Sequence, residues 1–220
     1  MYAVILAAGD GGRMGLDMPK AMLMVDDENL INRQIRQCGE CGLESIVVLG
    51  YQSGRVLESL SVMPSVILQN NHWNITETAY SVDCARHFLT SPFIIINGDV
   101  LFTTNTLQEL KNEEFNALVV VECEKGDKEA WQLDEFGGLS RGGGSGIEYL
   151  GLSKVEAVKD YHAIYSTRRF SYYDEILNVM SRSGNYFGLV DGEGMEIDTL
   201  EDYKRGDEWL RVYESMERGK

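Results

Sequence analysis

Three short regions of the sequence carry residue types that suit the chemistry of phosphate groups. Residues 6–20, LAAGDGGRMGLDMPK, place glycines, Arg13 and Lys20 directly after an apolar run. Asp99 follows a second apolar run in FIIINGD, and Glu196 and Asp198 alternate in GMEIDTLEDY. Glycines let backbone N–H groups approach a phosphate, cations neutralise its charge, and carboxylate oxygens are the ligands that Mg²⁺ prefers. Residues of these types suit a phosphate group bound by the glycine-rich region and a hard metal ion bound by the carboxylates.

The glycine-rich region matches neither of two common phosphate-binding loops. The P-loop pattern G-x-x-x-x-G-K-[ST] fails because proline and alanine flank Lys20. The dinucleotide pattern G-x-G-x-x-G begins at Gly9 but has Met14 in place of its third glycine. A kinase-type loop is therefore excluded, and hydride transfer with a dinucleotide cofactor is disfavoured.

The same region resembles a longer and more specific signature. LAAGDGGRMGLDMPKAML is similar to L-A-A-G-x-G-x-R-M…P-K of the nucleotidyltransferases with a GT-A-like fold, at every defining position. That family transfers a nucleoside monophosphate from a nucleoside triphosphate to a phosphorylated sugar or alcohol. The resemblance implies that Arg13 and Lys20 contact phosphates. It implies that the metal is held by Asp99, Asp198 and Glu196, and the nucleotide by Ala7, Ala8, Gly9, Gly11 and Gly12.

A further region is similar to one branch of the family. NNHWNITETAYSVDCA resembles the motif N-x-x-Y-x-x-x-N-x-Y-S of phosphocholine cytidylyltransferases, which implies nucleotide-binding roles for Asn70 and Ser81. The ending MEIDTLEDY also resembles that branch. Thr78 replaces an asparagine of the motif, and the short loop between Arg13 and Lys20 departs from the branch as well. Phosphocholine, aminoethylphosphonate and other small phosphorylated alcohols therefore stay open as acceptors.

An acceptor with a quaternary ammonium group needs aromatic faces and carboxylates around it, because it is bound by cation–π attraction. Trp131 and Tyr149 are candidate walls of such a site, with Glu148 as the nearby carboxylate. The alternative interpretation is that these aromatic side chains belong to an ordinary hydrophobic core.

The chemistry expected of such a site follows from charge. A phosphomonoester is mostly dianionic at neutral pH, its second pKa being about 6, so its oxygen can attack the α-phosphorus without a general base. The protein has to hold two anions in line and neutralise the departing pyrophosphate. The three histidines, His72, His87 and His162, are scattered and are interpreted as structural.

The elements that would position these residues follow from hydrophobic patterning. YAVILAAG, ESIVVLGY, SVILQ and PFIIINGD are apolar runs typical of buried parallel strands, and segments with helical periodicity separate them. NALVVVECE and WQLDEFGGLSR favour antiparallel strands instead. The prediction is an α/β fold, a doubly wound, mostly parallel mixed sheet of the GT-A or Rossmann-like type, with a small antiparallel sheet on the substrate side. Ligands bind such sheets at the carboxyl ends of the strands.

Composition limits the classes of partner. With 35 acidic and 20 basic residues the formal charge is −15, which disfavours nucleic acid and anionic membranes. We expect a single domain over residues 1–220, without a signal peptide or membrane span, in the cytoplasm. Cys38 and Cys41 form a C-x-x-C pair at the end of a predicted helix, and we interpret them as buried, reduced thiols.

The sequence thus predicts a Mg²⁺-dependent cytidylyltransferase that transfers CMP from CTP to a phosphocholine-like amino-alcohol phosphate and releases pyrophosphate. One alternative is a sugar-1-phosphate nucleotidyltransferase that uses UTP, GTP or dTTP. Another is a nucleotide-binding regulatory module of the same fold without turnover. A GT-A glycosyltransferase is disfavoured because the strand end reads Gly98-Asp99-Val100 and lacks D-x-D.

Overall fold

Strands and helices alternate along the first hundred residues, as the sequence predicts. The computed structural model describes residues 1–123, 131–133, 139–141, 146–168 and 171–218, apart from the side chains of Arg13 and residues 214–218. The strands are β1 (Tyr2–Ala7), β2 (Met24–Val25), β3 (Glu28–Asn29), β4 (Glu44–Leu49), β5 (Val66–Gln69), β6 (Phe93–Asn97), β7 (Val100–Phe102), β8 (Asn116–Glu122), β9 (Trp131–Leu133), β10 (Leu139–Arg141), β11 (Ile147–Val155), β12 (Phe187–Asp191) and β13 (Gly194–Glu196). The helices are α1 (Leu30–Glu40), α2 (Ser53–Glu58), α3 (Thr78–Cys84), α4 (Thr104–Asn112), α5 (Val158–Arg168), α6 (Tyr173–Arg182) and α7 (Leu200–Arg218).

The described strands build one nine-stranded sheet and two two-stranded sheets. The large sheet runs β10-β9-β11-β6-β1-β4-β5, and β8 joins it by pairing with β11 and β12. β1 is parallel to both neighbours, with Ile5 opposite Val47 on β4 and Ile96 on β6. β11 runs antiparallel to both β6 and β8. The predicted α/β fold with a mostly parallel mixed sheet is confirmed.

The antiparallel strands expected after Asp99 lie at one end of β11. β9 and β10 pair antiparallel, and Gln132 of β9 lies opposite Glu148 of β11. β11 is irregular between Tyr149 and Ser153, where the register with β8 shifts. Gly151 lies inside this shift with a φ of +85°, a backbone conformation that favours glycine.

Both faces of the large sheet are covered by helices. Val4 and Ile5 of β1 point to opposite faces and are both fully buried, in separate apolar clusters. The cluster around Ile5 includes side chains from α1, α2 and α4, and the cluster around Val4 includes side chains from α3, α5 and α6. Burying each such aliphatic side chain contributes roughly 1.5–3 kcal/mol to stability. The continuous apolar runs of the sequence therefore correspond to strands buried on both faces.

The cysteine pair lies in this core. Cys38 and Cys41 are free and buried, and burial raises the pKa of the Cys38 thiol to about 12. A thiol with so high a pKa is a poor nucleophile and metal ligand at neutral pH. This supports the interpretation of the pair as packing residues.

The C-terminal helix closes the side of the molecule that holds β2, β3 and β13. Leu210 of α7 packs in a third apolar cluster with Leu23 and Leu30, and the β13–β7 sheet lies next to it. Within the described residues, each helix is too short or too polar to span a bilayer. Residues 1–220 as a single domain stay a prediction.

Candidate active site

The cleft begins where the carboxyl ends of β1 and β6 lie side by side. Leu6 of β1 is paired with Asn97 of β6, and the chain then turns at Gly98. A Cβ atom at Gly98 would lie 2.5 Å from the backbone oxygen of Leu6, so a larger residue would force these two strand ends apart. The turn that follows carries Asp99 into the cleft between the strand ends.

The glycine-rich loop after β1 delivers Lys20 to the same place. Gly11 has a φ of +68°, and a Cβ atom there would lie 3.0 Å from Cγ of Lys20. Glycine thus gives both the left-handed turn and the space through which the lysine side chain passes. The N–H of Gly12 donates to Oδ1 of Asp10 at 3.0 Å, so a side chain of the loop itself accepts this hydrogen bond.

Lys20 joins two carboxylates that come from opposite halves of the chain. Its Nζ donates to Oδ2 of Asp99 at 3.0 Å and to Oδ1 of Asp198. Burial acts to lower the pKa of Lys20, but the charges and hydrogen bonds of Asp99 and Asp198 outweigh it, so the pKa is raised. The ammonium group therefore stays charged at neutral pH. Sequence reasoning placed these three residues in one site, and the structure brings their charged atoms into contact.

A third carboxylate completes the acidic floor of the cleft. Glu196 ends β13, two residues before Asp198, and both line the cleft. Desolvation, followed by the charges of Asp99 and Asp198, raises the pKa of Glu196 well above its usual value. Burial and the neighbouring negative charges thus both disfavour the ionised form of Glu196. The backbone N–H of Ile197 donates to the Asp99 oxygen at 2.9 Å and links the two carboxylate-bearing segments directly.

The carboxylates are arranged for a metal ion that is bound partly by the protein and partly by water and substrate, as Mg²⁺ commonly is. In the described residues, no three acidic, histidine or cysteine side chains are placed so as to enclose an ion. Asp99 and Asp198 instead face one point between them, where the Lys20 ammonium lies. Mg²⁺ is commonly bound by one or two carboxylates together with water and substrate phosphates. Two carboxylates beside a phosphate-binding loop have the required donor chemistry.

The opposite wall of the cleft is formed at the start of α6. Thr78 Oγ1, at the start of α3, accepts a hydrogen bond of 2.8 Å from the N–H of Tyr173. The N–H of Ala79 donates to the Ser171 oxygen at 3.2 Å, so the two helix starts are bonded twice. This contact brings Tyr172 and Asp174 to the cleft.

A cation lies on aromatic rings at this wall. The guanidinium carbon of Arg141 is 5.4 Å from the ring centre of Trp131 and 4.9 Å from that of Tyr172. Burial raises the pKa of the neighbouring Asp174 to about 6, although the charge of Arg141 opposes this shift. Asp174 is only 7% exposed, and at neutral pH it adds a buried negative charge to this side.

The resulting cleft has a volume of about 570 Å³. Among the residues singled out from the sequence, those that line it are Ala7, Gly9, Gly11, Gly12, Lys20, Asp99, Trp131, Glu196 and Asp198. The cleft thus unites the glycine-rich loop, the two segments that carry Asp99, Glu196 and Asp198, and Trp131 of the predicted aromatic wall.

Other predicted residues lie outside the cleft lining. Asn70 is 1% exposed, and its Nδ2 donates to Ser81 Oγ at 3.1 Å, so these two side chains fix the segment before α3. Ala8 is buried beside the loop, and the Tyr149 ring is packed in the core. Glu148 acts on the cleft from a distance, since its charge contributes to the raised pKa of Glu196. The side chain of Arg13 lies outside the described residues.

Sequence reasoning missed four of the residues that line the cleft on the side of Trp131: Thr78, Arg141, Tyr172 and Asp174. In the sequence, Thr78 is visible only as a departure from the motif, where it replaces an asparagine. The segment SYYDEIL contains a usable signal, because its aromatic and acidic residues lie at the start of a helix that packs on the sheet.

Residues 3–177 match the family model of the MobA-like NTP transferase domain. The chain belongs to this family. The matched span contains the glycine-rich loop, Lys20 and Asp99, and Asp198 follows it. The family match thus includes the loop and the first carboxylate. The second carboxylate lies beyond the matched span and reaches the same cleft through the fold.

Three similar proteins illustrate the range of this NTP transferase fold. The bifunctional protein GlmU of Thermotoga maritima is 32% identical over 116 residues, which are 51% of this chain and 25% of that protein. The CTP:phosphoglutamine cytidylyltransferase of Campylobacter jejuni is 27% identical over 133 residues, 56% of this chain and 53% of that protein. The CTP:phosphocholine cytidylyltransferase LicC of Streptococcus pneumoniae shares the fold with a TM-score of 0.78 at 22% identity, over 95% of this chain and 98% of that one. The chain thus spans a quarter to about half of the two sequence relatives.

Proposed function

We propose that this NTP transferase domain is a Mg²⁺-dependent cytidylyltransferase. The observation that carries the proposal is the contact of Lys20 with both Asp99 and Asp198 beside the glycine-rich loop. A domain that only binds nucleotides needs the loop and a cation, whereas a paired carboxylate site suits a reaction in which a metal neutralises developing charge. Two of the similar proteins are named cytidylyltransferases, which supports CTP as the donor.

The residues of the cleft fit separate roles in this reaction. Asp99 and Asp198 would hold Mg²⁺, which supplies charge neutralisation at the donor phosphates. Gly11 and Gly12 line the phosphate side of the cleft. Lys20, whose ammonium group now lies where both carboxylates converge, would move to the phosphate oxygens when the metal ion takes that place.

The bond changes need no protein nucleophile. An oxygen of the acceptor phosphate forms a bond to the α-phosphorus of CTP, and the bond from that phosphorus to the bridging oxygen breaks. Pyrophosphate leaves with that electron pair. Because the acceptor phosphate is already ionised at neutral pH, the protein positions the two anions and does not remove a proton.

The acceptor wall favours a phosphorylated amino-alcohol. Trp131 and Tyr172 already stabilise one cation, the guanidinium of Arg141, so their faces have the geometry that an acceptor ammonium requires. Asp174 lies next to them and, when ionised, attracts the same group. Arg141 in turn is placed to contact the acceptor's phosphate when the ammonium takes its place on the rings.

One assay separates this function from its alternatives. The protein is incubated with Mg²⁺, each of the four common NTPs and a panel of phosphocholine, aminoethylphosphonate and hexose-1-phosphates, and pyrophosphate is measured. Release with CTP and an amino-alcohol phosphate or phosphonate is expected. Release with a hexose-1-phosphate alone would indicate the sugar-1-phosphate nucleotidyltransferase, and no release with any pair would indicate the regulatory module.

The Asp99→Asn variant tests the metal role directly. Removal of one metal-holding charge is expected to lower kcat on the order of 10³-fold, which corresponds to roughly 4 kcal/mol of transition-state stabilisation. Asp160→Asn is the matched control, since Asp160 is exposed in the first turn of α5 and outside the cleft lining. Equal rates for the two variants would contradict the role of Asp99.

A further inference from the structure

A buried glutamine outside the cleft holds the turn that carries Asp99. Gln34 lies on α1 and is 1% exposed. Its Nε2 donates to the backbone oxygen of Asn97 at 3.0 Å and to that of Val100 at 2.8 Å. These two carbonyl groups belong to the residues at either end of the Gly98-Asp99 turn. One side-chain amide therefore spans the turn with both of its N–H groups.

Two backbone hydrogen bonds also hold the turn, but no side chain of its own does so. The N–H of Gly98 donates to the backbone oxygen of Leu6 at 3.1 Å. Gly98 has no side chain, and the Asp99 side chain points into the cleft towards Lys20. The Asp99 backbone oxygen accepts from Ile197 N–H at 2.9 Å, and Ile197 precedes Asp198. A continuous series of hydrogen bonds thus runs from α1 through the turn to the second carboxylate segment.

Gln34 carries a penalty in folding free energy, because one of its polar atoms is buried without a partner among the described residues. That a glutamine stands here despite this penalty indicates that its N–H donors are needed. Oε1 of Gln34 is buried without a hydrogen-bond partner among the described residues. An unsatisfied buried oxygen costs about 1–3 kcal/mol, and an apolar side chain of similar length would avoid that penalty.

We propose that Gln34 is a positioning residue that sets the separation of Asp99 and Asp198. The proposal rests on the proposed function, because that separation matters for the Mg²⁺ that the two carboxylates would hold. When the amide is removed, the turn can relax between β6 and β7, and the two carboxylates no longer face one point. Gln34 thereby acts on the metal site through the backbone, without touching substrate.

The same helix offers a matched control. Gln37 is also 1% exposed, its Nε2 donates to the Phe102 oxygen at 2.8 Å, and its Oε1 also has no partner among the described residues. Gln34→Met and Gln37→Met therefore remove the same groups from the same helix. Only the bond partners differ, since Phe102 lies at the far end of β7 from Asp99.

The experiment compares both variants with the wild-type chain in two measurements. Steady-state kinetics give kcat, the KM for CTP and the Mg²⁺ concentration for half-maximal rate. Electron paramagnetic resonance with Mn²⁺ gives ion binding independently of turnover. For Gln34→Met we expect about a tenfold rise in the half-saturating Mg²⁺ concentration and weaker Mn²⁺ binding, which corresponds to roughly 1.4 kcal/mol. Gln37→Met should stay within about twofold of wild type in both, at a comparable loss of melting temperature.

Each outcome decides between the two proposals. Equal ion dependence of the two variants, with an active wild-type chain, overturns the role of Gln34 and leaves the transferase function intact. A wild-type chain that shows neither turnover nor Mn²⁺ binding overturns both. If Gln34→Met does not fold, Gln34→Asn replaces it, because the shorter amide cannot reach both carbonyls, and the same shift in ion dependence is expected.

Discussion

At the scale of single residues, the candidate site depends on charges that are held out of bulk water. Asp174 shows this most clearly, because burial raises its pKa to about 6 while the Arg141 charge opposes the shift. Its carboxylate is therefore neutral in mild acid and negative at neutral pH. A cationic acceptor group next to Trp131 and Tyr172 would be attracted more strongly when Asp174 is ionised.

The Asp174→Asn variant is expected to show a pH-dependent loss of acceptor affinity. Above pH 6 the charge of the wild-type carboxylate attracts an ammonium group, so the variant's KM for phosphocholine should be raised about tenfold, which corresponds to roughly 1.4 kcal/mol. At pH 5 the wild-type residue is mostly protonated, and the ratio of the two KM values should approach one. The acceptor phosphate also titrates near pH 6, but it does so equally in both proteins. A ratio that is constant with pH would contradict the role of Asp174.

The same substitution, which should weaken acceptor binding, should increase folding stability at neutral pH. A raised pKa means that the folded chain binds the proton more tightly than the unfolded chain, whose aspartate has a pKa near 3.8. The wild-type protein therefore loses stability as pH rises through about 6, and Asp174→Asn does not. Denaturant unfolding should show the variant gaining on the order of 1–3 kcal/mol relative to wild type between pH 4 and pH 7.

Residue types in sequence predicted the cations and carboxylates better than the acceptor wall. Lys20, Asp99 and Asp198 belong to recognisable motifs, and the structure brings them into contact. Arg141 and Asp174 belong to no motif. Asp174 reaches the cleft at the start of α6, which is bonded to Thr78, 95 residues before Tyr173. Arg141 reaches it through the pairing of β10 with β9. No local pattern reports such contacts.

At the scale of elements, α1 connects the core to the metal-ligand turn. Asn29 caps its start, since Oδ1 accepts from the N–H of Asn32 at 3.0 Å. Its Nδ2 also donates to the Ser59 oxygen at 3.3 Å, which ties the helix start to the end of α2. The cap therefore stabilises the helix from which Gln34 reaches the turn.

Asn29→Ala is expected to lower stability without altering ion dependence. Loss of an N-cap side chain costs about 0.5–2 kcal/mol, which thermal or denaturant unfolding measures. Thr103→Ala, which removes the comparable cap of α4, should cost a similar amount. Both variants should keep the wild-type half-saturating Mg²⁺ concentration, because each leaves the Gln34 amide in place. A large shift for Asn29→Ala alone would mean that the whole helix, and not one amide, positions Asp99.

The sequence predicts some elements and misses others for physical reasons. The strands buried on both faces are visible as apolar runs, and α1 shows clear helical spacing. Helices α4 and α5 are not predicted, since each buries few side chains. In α5 the buried residues are Tyr161 and Tyr165, and two aromatic residues four apart are a weak signal beside exposed polar neighbours.

At the scale of the whole molecule, one sheet joins the half that carries the glycine-rich loop to the half that carries Trp131. β11 pairs with β6 on one side and with β8 on the other, and β9 also contacts it. The chain carries a formal charge of −15, yet the cleft collects cations at Lys20 and Arg141. An acidic surface is thus compatible with an anionic substrate, because the attraction is local.

We expect residues 1–220 to unfold as one domain. Since β11 joins the two halves through continuous backbone pairing, calorimetry should show a single transition whose calorimetric and van't Hoff enthalpies agree. Two separable transitions would mean that the acceptor half is an independent unit. Fluorescence of the tryptophans, followed separately from circular dichroism, checks the same point through coincident midpoints.

Within the cleft, the Lys20 ammonium group serves as the counterion of both Asp99 and Asp198. Lys20 has to leave that bridge before the carboxylates can accept another cation, and it gains most by leaving when a triphosphate is present to receive it. Release of the lysine and arrival of the nucleotide are therefore linked events. A divalent ion that arrives alone would compete with this internal cation for the two carboxylates, whereas an ion that arrives with a nucleotide would not.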